Sequence, residues 1–196
     1  MNWIQESVKK SNKMKDHYKM QEIDIFIKDQ LPEHINPDLV FSTFSKLIPS
    51  HLLSGVDIIY VGEFDVFKEK KVNAVFQDGA IYVSNEQDSN QDMIDDIIHE
   101  LAHSVEEKFT QYIYDENDLK NEFLGKRKRL YDILNSYDYD PSIKIKTTYH
   151  YDEEIDMYFY QKVGYEAMWN LINGLFASPY STTSLREYFA NGFEAF

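Results

Sequence analysis

The sequence predicts an α+β fold: a small mixed sheet, a long helix directly after it, and a mainly helical C-terminal part. Three observations lead there. Runs rich in β-branched and aromatic residues gather between Gly55 and Ser84, with Asp78-Gly79 as a turn signal between two of them. On either side the apolar residues recur at helical spacing instead. Finally, Asp92 to Glu107 reads D-M-I-D-D-I-I-H-E-L-A-H-S-V-E-E, a helical pattern that keeps ionisable side chains among apolar ones.

The first 54 residues are expected to form a helical region. Ile4, Val8, Met14, Tyr18, Ile23, Phe26 and Ile27 recur loosely at helical spacing, predicting one or two helices between Trp3 and Pro32. Asn36-Pro37-Asp38 then supplies an N-cap followed by proline at the first helical position, and Val40, Phe44, Leu47 and Ile48 form the apolar stripe of that helix before Pro49. Residues 55–196 read as the main domain. Val56–Val61, Val72–Phe76 and Ala80–Ser84 are expected strands, the last two joined by a tight hairpin at Asp78-Gly79. The strand Ala80–Ser84 precedes the Asp92 helix and is expected to offer an edge to which an extended peptide could add. Ser89, three residues before Asp92, starts that helix with a capping-box pattern.

Residues 109–178 read as a helical, Tyr-rich insertion. Leu119, Phe123, Leu130, Ile133 and Leu134 predict a helix over 117–136, on which Lys126-Arg127-Lys128-Arg129 reads as a solvated face. Asp138-Tyr139-Asp140-Pro141 is a turn, Tyr165–Phe176 a helix, and Leu185–Phe196 a last helix capped by Thr183 or Ser184.

Composition narrows the function. The chain of 196 residues has no cysteine, so disulfides and thiolate metal sites are excluded and a metal ion would be held by His, Asp or Glu. A net charge of −14 argues against a nucleic-acid partner, suits an acidic solubilising surface, and would favour a basic substrate electrostatically. The start carries no apolar signal segment and no run approaches membrane-spanning length. A cytoplasmic location without membrane contact is therefore expected; a virion-associated or injected protein would have the same composition.

His99-Glu100-Leu101-Ala102-His103 carries the chemistry. Positions four apart stack on one helix face, so both imidazoles address a common point with Glu100 beside them, the arrangement of a zinc-hydrolase centre. Two imidazoles and one anionic ligand leave zinc an open position for a water whose pKa falls to about 7, and Glu100 can take that water's proton. Glu106 and Glu107 are placed to accept from a histidine N–H, and they occupy the region where the longer H-E-x-x-H-x-x-G-x-x-H pattern would have its glycine. His150, Asp152, Glu153, Glu154 and Glu166 are conceivable third ligands. Glu187 has the strongest claim, on a helix with Tyr188, Phe189, Ala190 and Phe193, where the small Ala190 permits close approach and the aromatics exclude water.

These two stretches resemble the catalytic core of the anthrax-lethal-factor-like gluzincin metallopeptidases. In that family H-E-x-G-H-x-x-[D/E]-[D/E] is followed by a distant E-[F/Y]-F-A-x-x-F helix; here they correspond to His99–Glu107 and Glu187–Phe193, with Ala102 in place of the usual glycine. The resemblance implies a zincin-like fold, zinc held by His99, His103 and Glu187, Glu100 as general base, and Tyr180, seven residues before Glu187, as donor to the developing oxyanion. It implies an endopeptidase acting on a peptide or protein. A catalytically silent metal-binding relative, serving as a binding, virion or assembly component, would carry the same motif.

Overall fold

The computed structural model describes residues 16–70 and 72–195, so Trp3, Ile4, Val8 and Met14 of the expected N-terminal helices lie outside it. The chain divides into two compact units, Met1–Lys108 and Phe109–Phe196. A division after residue 54 has no counterpart, because strands on either side of it pair directly.

The described residues of the first unit open with a hairpin where a helix was expected. Strands β1 (Asp16–Met20) and β2 (Ile23–Ile27) are antiparallel, with Met20 opposite Ile23. Ile23, Ile25 and Ile27 are buried while Asp24 and Phe26 face the other way. That period of two over Ile-Asp-Ile-Phe-Ile overrides the loose helical spacing. The turn Gln21-Glu22 has Gln21 in the left-handed region (φ 55°) without the Asn-Gly or Asp-Gly that would have announced it.

Helix α1 (Pro37–Leu47) forms as expected: the Asn36 side chain accepts from the Leu39 N–H, and Pro37 fills the first turn. Its buried face is Val40, Phe41 and Phe44, whereas Leu47, expected in the stripe, lies out in solvent. Strand β3 (Ile58–Val61) leads to a short helix α2 (Asp65–Lys70), then β4 (Ala74–Gln77) and β5 (Ala80–Val83). The β4–β5 turn has Asp78 at φ 51° and Gly79 at φ 78°, as the two-residue hairpin foreseen there requires.

The five strands form one mixed sheet in the order β1-β2-β3-β5-β4, with β2, β3 and β5 parallel and the outer strands antiparallel to their neighbours. Ile25, Ile59 and Ile81 stand in register across it and are fully buried. Phe26, Tyr60 and Tyr82 form the next row, their rings 6.0 and 5.4 Å apart. This order corrects one expectation: Ala80–Val83 is an interior strand whose hydrogen-bonding groups are shared between β3 and β4, so the outer strand on this side of the sheet is β4.

Helix α3 (Asn90–Tyr114) follows the sheet. Ser89 Oγ accepts from the Asp92 N–H at 3.1 Å, the first arm of the expected capping box, and donates to Asp92 Oδ2 at 2.9 Å. Met93, Ile94, Ile97, Ile98, Leu101, Ala102 and Val105 are its buried apolar side chains, and Phe109 (φ −110°, ψ 19°) interrupts its helical geometry.

The second unit is helical among its described residues: α4 (Asp118–Ser136), α5 (Glu153–Met157), α6 (Tyr165–Leu171) and α7 (Leu185–Glu194), joined by shorter turns. Phe123, Leu130, Leu134, Ile145, Phe159 and Met168 are fully buried in its core. Helix α6 stops at Leu171, short of the expected Phe176, and Gly174 beyond it takes φ 75°. The basic run is a solvated face only at Lys128 and Arg129. Arg127 is fully buried and Lys126 is tied to Glu122 and Tyr188, because Phe123, Arg127, Leu130 and Leu134 share the inward face of α4. No helix of the described residues is long and apolar enough to cross a membrane.

Candidate metal centre

His99, Glu100 and His103 lie within the buried part of α3. The two imidazole rings are 5.0 Å apart, nearly perpendicular, as expected for side chains one turn apart. His103 and Glu100 are 6% and 8% exposed, so both polar groups need partners. Glu100 finds one on the sheet: its Oε2 accepts from the Phe76 backbone N–H at 2.6 Å. Phe76 faces Ile81 and is one residue removed from the Gln77–Ala80 pair that closes the turn, which leaves its N–H pointing away from β5, toward the outer side of β4. The edge strand thereby fixes the Glu100 carboxylate.

His103 Nδ1 lies 3.6 Å from Glu106 Oε2, an ion-pair separation longer than a hydrogen bond. Glu106 is thus close to the histidine, while Glu107 is exposed.

Glu187 sits in the first turn of α7. Ser184 caps that helix, its Oγ accepting from the Glu187 N–H at 3.2 Å, and Asn191 Nδ2 donates to the Glu187 carbonyl at 2.9 Å. Ser178 Oγ in turn donates to Asn191 Oδ1 at 2.6 Å.

His99, His103 and Glu187 each offer one donor atom, and these atoms lie within 4.8 Å of one another. Two imidazole nitrogens and one carboxylate oxygen at such separations can hold a metal ion, and they fit the His₂Glu set that zinc takes in hydrolytic sites. The other third-ligand candidates are engaged elsewhere or face solvent. Asp152 caps α5, Glu154 pairs with Lys144 at 2.6 Å, the His150 ring lies 3.9 Å from that of Tyr149, and Glu153 and Glu166 are exposed.

Tyr180 lies in a 3₁₀ turn (Tyr180–Thr182) ahead of α7. Burial, and after it the Glu187 carboxylate, pushes its phenol well above the ordinary tyrosine range, so it stays protonated and can donate a hydrogen bond at neutral pH. Arg127 secures this turn: its Nε donates to the Ile145 carbonyl at 2.5 Å and its Nη1 to those of Thr182 and Thr183 at 2.5 and 3.3 Å. Burial lowers the guanidinium to about 10. Two contributors were missed from sequence. The Phe76 amide has no side-chain signal, whereas Arg127 shares the heptad-like phase of Phe123, Leu130 and Leu134 and could have been read as inward.

No protein-family model matches the chain, and neither does any curated protein or solved structure. The site is therefore argued from its own residues.

Proposed function

We propose that the chain is a zinc-dependent endopeptidase of the gluzincin type with a zincin-like fold. The observation carrying this reading is the convergence of His99, His103 and Glu187 donors within 4.8 Å, with a buried glutamate, Glu100, next to His99 in sequence. A mixed sheet whose antiparallel edge strand contacts Glu100 supports it.

In this reading His99, His103 and Glu187 hold zinc, which would supply Lewis acidity to an attacking water and to the scissile carbonyl. Glu100 accepts the water's proton on a carboxylate oxygen and returns it to the leaving amine. The Phe76 N–H holds Oε2 in place, so the proton-accepting lone pairs are aimed before substrate arrives. Tyr180 donates its phenolic hydrogen to the carbonyl oxygen as that oxygen gains charge; one such donor is worth about 3–4 kcal/mol of barrier. The substrate backbone is taken by the outer edge of β4, through the Ala74 amide and carbonyl and the Phe76 carbonyl, which point away from β5.

The test pairs metal analysis with turnover. Zinc content and cleavage of a quenched fluorescent peptide library are measured for the full chain and for Glu100→Ala. We expect zinc in both proteins and cleavage in the native protein only. Equal cleavage by the variant sinks the proton-transfer role; zinc without cleavage in the native chain favours the silent metal-binding relative; no zinc in either removes the centre.

A further inference from the structure

We propose that Asp156, with Tyr151, Tyr160 and Tyr165, forms a subsite for a lysine or arginine side chain of the substrate. This inference rests on the peptidase reading for the identity of its ligand as a peptide, and concerns residues that reading does not use.

Asp156, on α5, accepts hydrogen bonds on both carboxylate oxygens, from Tyr151 at 2.9 Å and from Tyr165 at 3.2 Å. Tyr160 packs edge-on against Tyr165, with ring centroids 5.6 Å apart. Among the described residues the carboxylate's partners are phenols and not cations. The Tyr151 and Tyr160 rings stay open to solvent, at 56% and 62% exposure, where a ligand side chain can reach them. A phenol that donates to a carboxylate has an electron-richer ring, and an aromatic face beside an anion is the surroundings a desolvated ammonium or guanidinium prefers.

The same unit shows this chemistry with its own lysines. Lys126 sits 2.9 Å from Glu122 and 4.9 Å from the Tyr188 ring centre; Lys120 and Lys146 lie over Tyr149 and Tyr131 at 3.8 and 4.2 Å. At Asp156 the carboxylate and rings are arranged alike, but no cation of the described chain completes them. A metal ion is a poor alternative, since one carboxylate and neutral phenols do not make a hard-cation donor set.

The position is informative. After burial and Glu187, the groups that raise the Tyr180 phenol are Asp156, Tyr165 and Tyr151, so this cluster lies within electrostatic reach of the proposed oxyanion donor. A basic side chain held there would belong to a residue close to the cleaved bond. Burial and Asp156 also keep Tyr165 protonated, and Tyr151 is pushed up to about 12, so both remain donors at neutral pH.

Two measurements test the proposal. Quenched peptides that differ only in having lysine, arginine or norleucine at one position are cleaved by the full chain, by Asp156→Asn and by Tyr160→Leu. The native protein is expected to favour lysine or arginine roughly tenfold in kcat/KM at one position, with the ratio near one in Asp156→Asn and roughly halved or lower in Tyr160→Leu. Independently of turnover, acetyl-Ala-Lys-Ala-amide and its norleucine analogue are titrated into Glu100→Ala protein carrying ring-labelled tyrosine. Only the lysine peptide should move the Tyr151, Tyr160 and Tyr165 resonances, with an effect that weakens in salt and vanishes when Asp156→Asn is added. A preference unaltered by both variants, or equal shifts with norleucine, overturns the subsite. If no peptide is cleaved, the peptidase reading fails alone and the titration still decides the subsite.

Discussion

Replacing Phe76 by proline isolates the hydrogen bond between the edge strand and Glu100. The Phe76 N–H donates to Glu100 Oε2 at 2.6 Å and lies outside the β4–β5 ladder, so proline deletes that bond without removing a ladder bond. Proline also suits this setting, because edge strands tolerate it and the preceding Val75 is already extended. Phe76→Ala is the control, since it removes the same ring and keeps the N–H. A hydrogen bond to a charged acceptor contributes about 1.5–3 kcal/mol, and Glu100 is only 8% exposed, so water replaces the donor poorly. Phe76→Pro should therefore be about 1.5–3 kcal/mol less stable than Phe76→Ala in urea unfolding. If Glu100 works as proposed, kcat should fall roughly 10- to 100-fold further in Phe76→Pro, with zinc content equal in both. Equal stability and equal kcat in the two variants would refute the idea that the strand holds the carboxylate.

Other expectations follow from the same geometry. Arg127→Lys keeps the charge but puts every donor on one nitrogen, which cannot take the places of both Nε at the Ile145 carbonyl and Nη1 at those of Thr182 and Thr183, and should cost about 2–4 kcal/mol in thermal or urea unfolding. Gly79→Ala puts a side chain at φ 78° with its Cβ 3.0 Å from Asp57 Oδ2 and should cost about 1–2 kcal/mol, whereas Gly125→Ala, exposed on α4 with nothing within 4 Å, should stabilise by about 0.5–1 kcal/mol. Chelation should lower the unfolding midpoint, and Glu187→Ala should abolish that shift; at zinc one hundred times its Kd the linkage is about 2.7 kcal/mol. The Glu63 backbone N–H, ahead of the Lys28 side chain, holds the Asp29 carboxyl below its ordinary value of 3.8. Its stabilisation is thus complete above that value and lost as pH falls through the lower folded one. Asp29→Asn should remove this part of the acid-induced loss, seen by comparing unfolding midpoints at pH 6 and below pH 4.

Where local chemistry is self-sufficient, the chain's sequence determined the outcome. Asn36-Pro37 starts a helix because cap and proline act within one turn; Asp78-Gly79 closes a hairpin because both residues accept left-handed backbone; and His99 and His103 share a face because helical spacing alone puts them there. Tertiary structure decided what depends on distant partners. Ile23, Ile25 and Ile27 are a strand because β3 is beside them, and five residues of alternation are too few to overrule a helical spacing without that neighbour. The outer place beside Ala80–Val83 falls to β4, because strand order follows from pairing across the sheet. Arg127 is interior because the carbonyls of Ile145, Thr182 and Thr183, far along the chain, can replace its water. The motif proposed its third ligand by pattern; only folding brought a Glu187 oxygen within 4.8 Å of both histidines, since separation along a chain sets no distance in space.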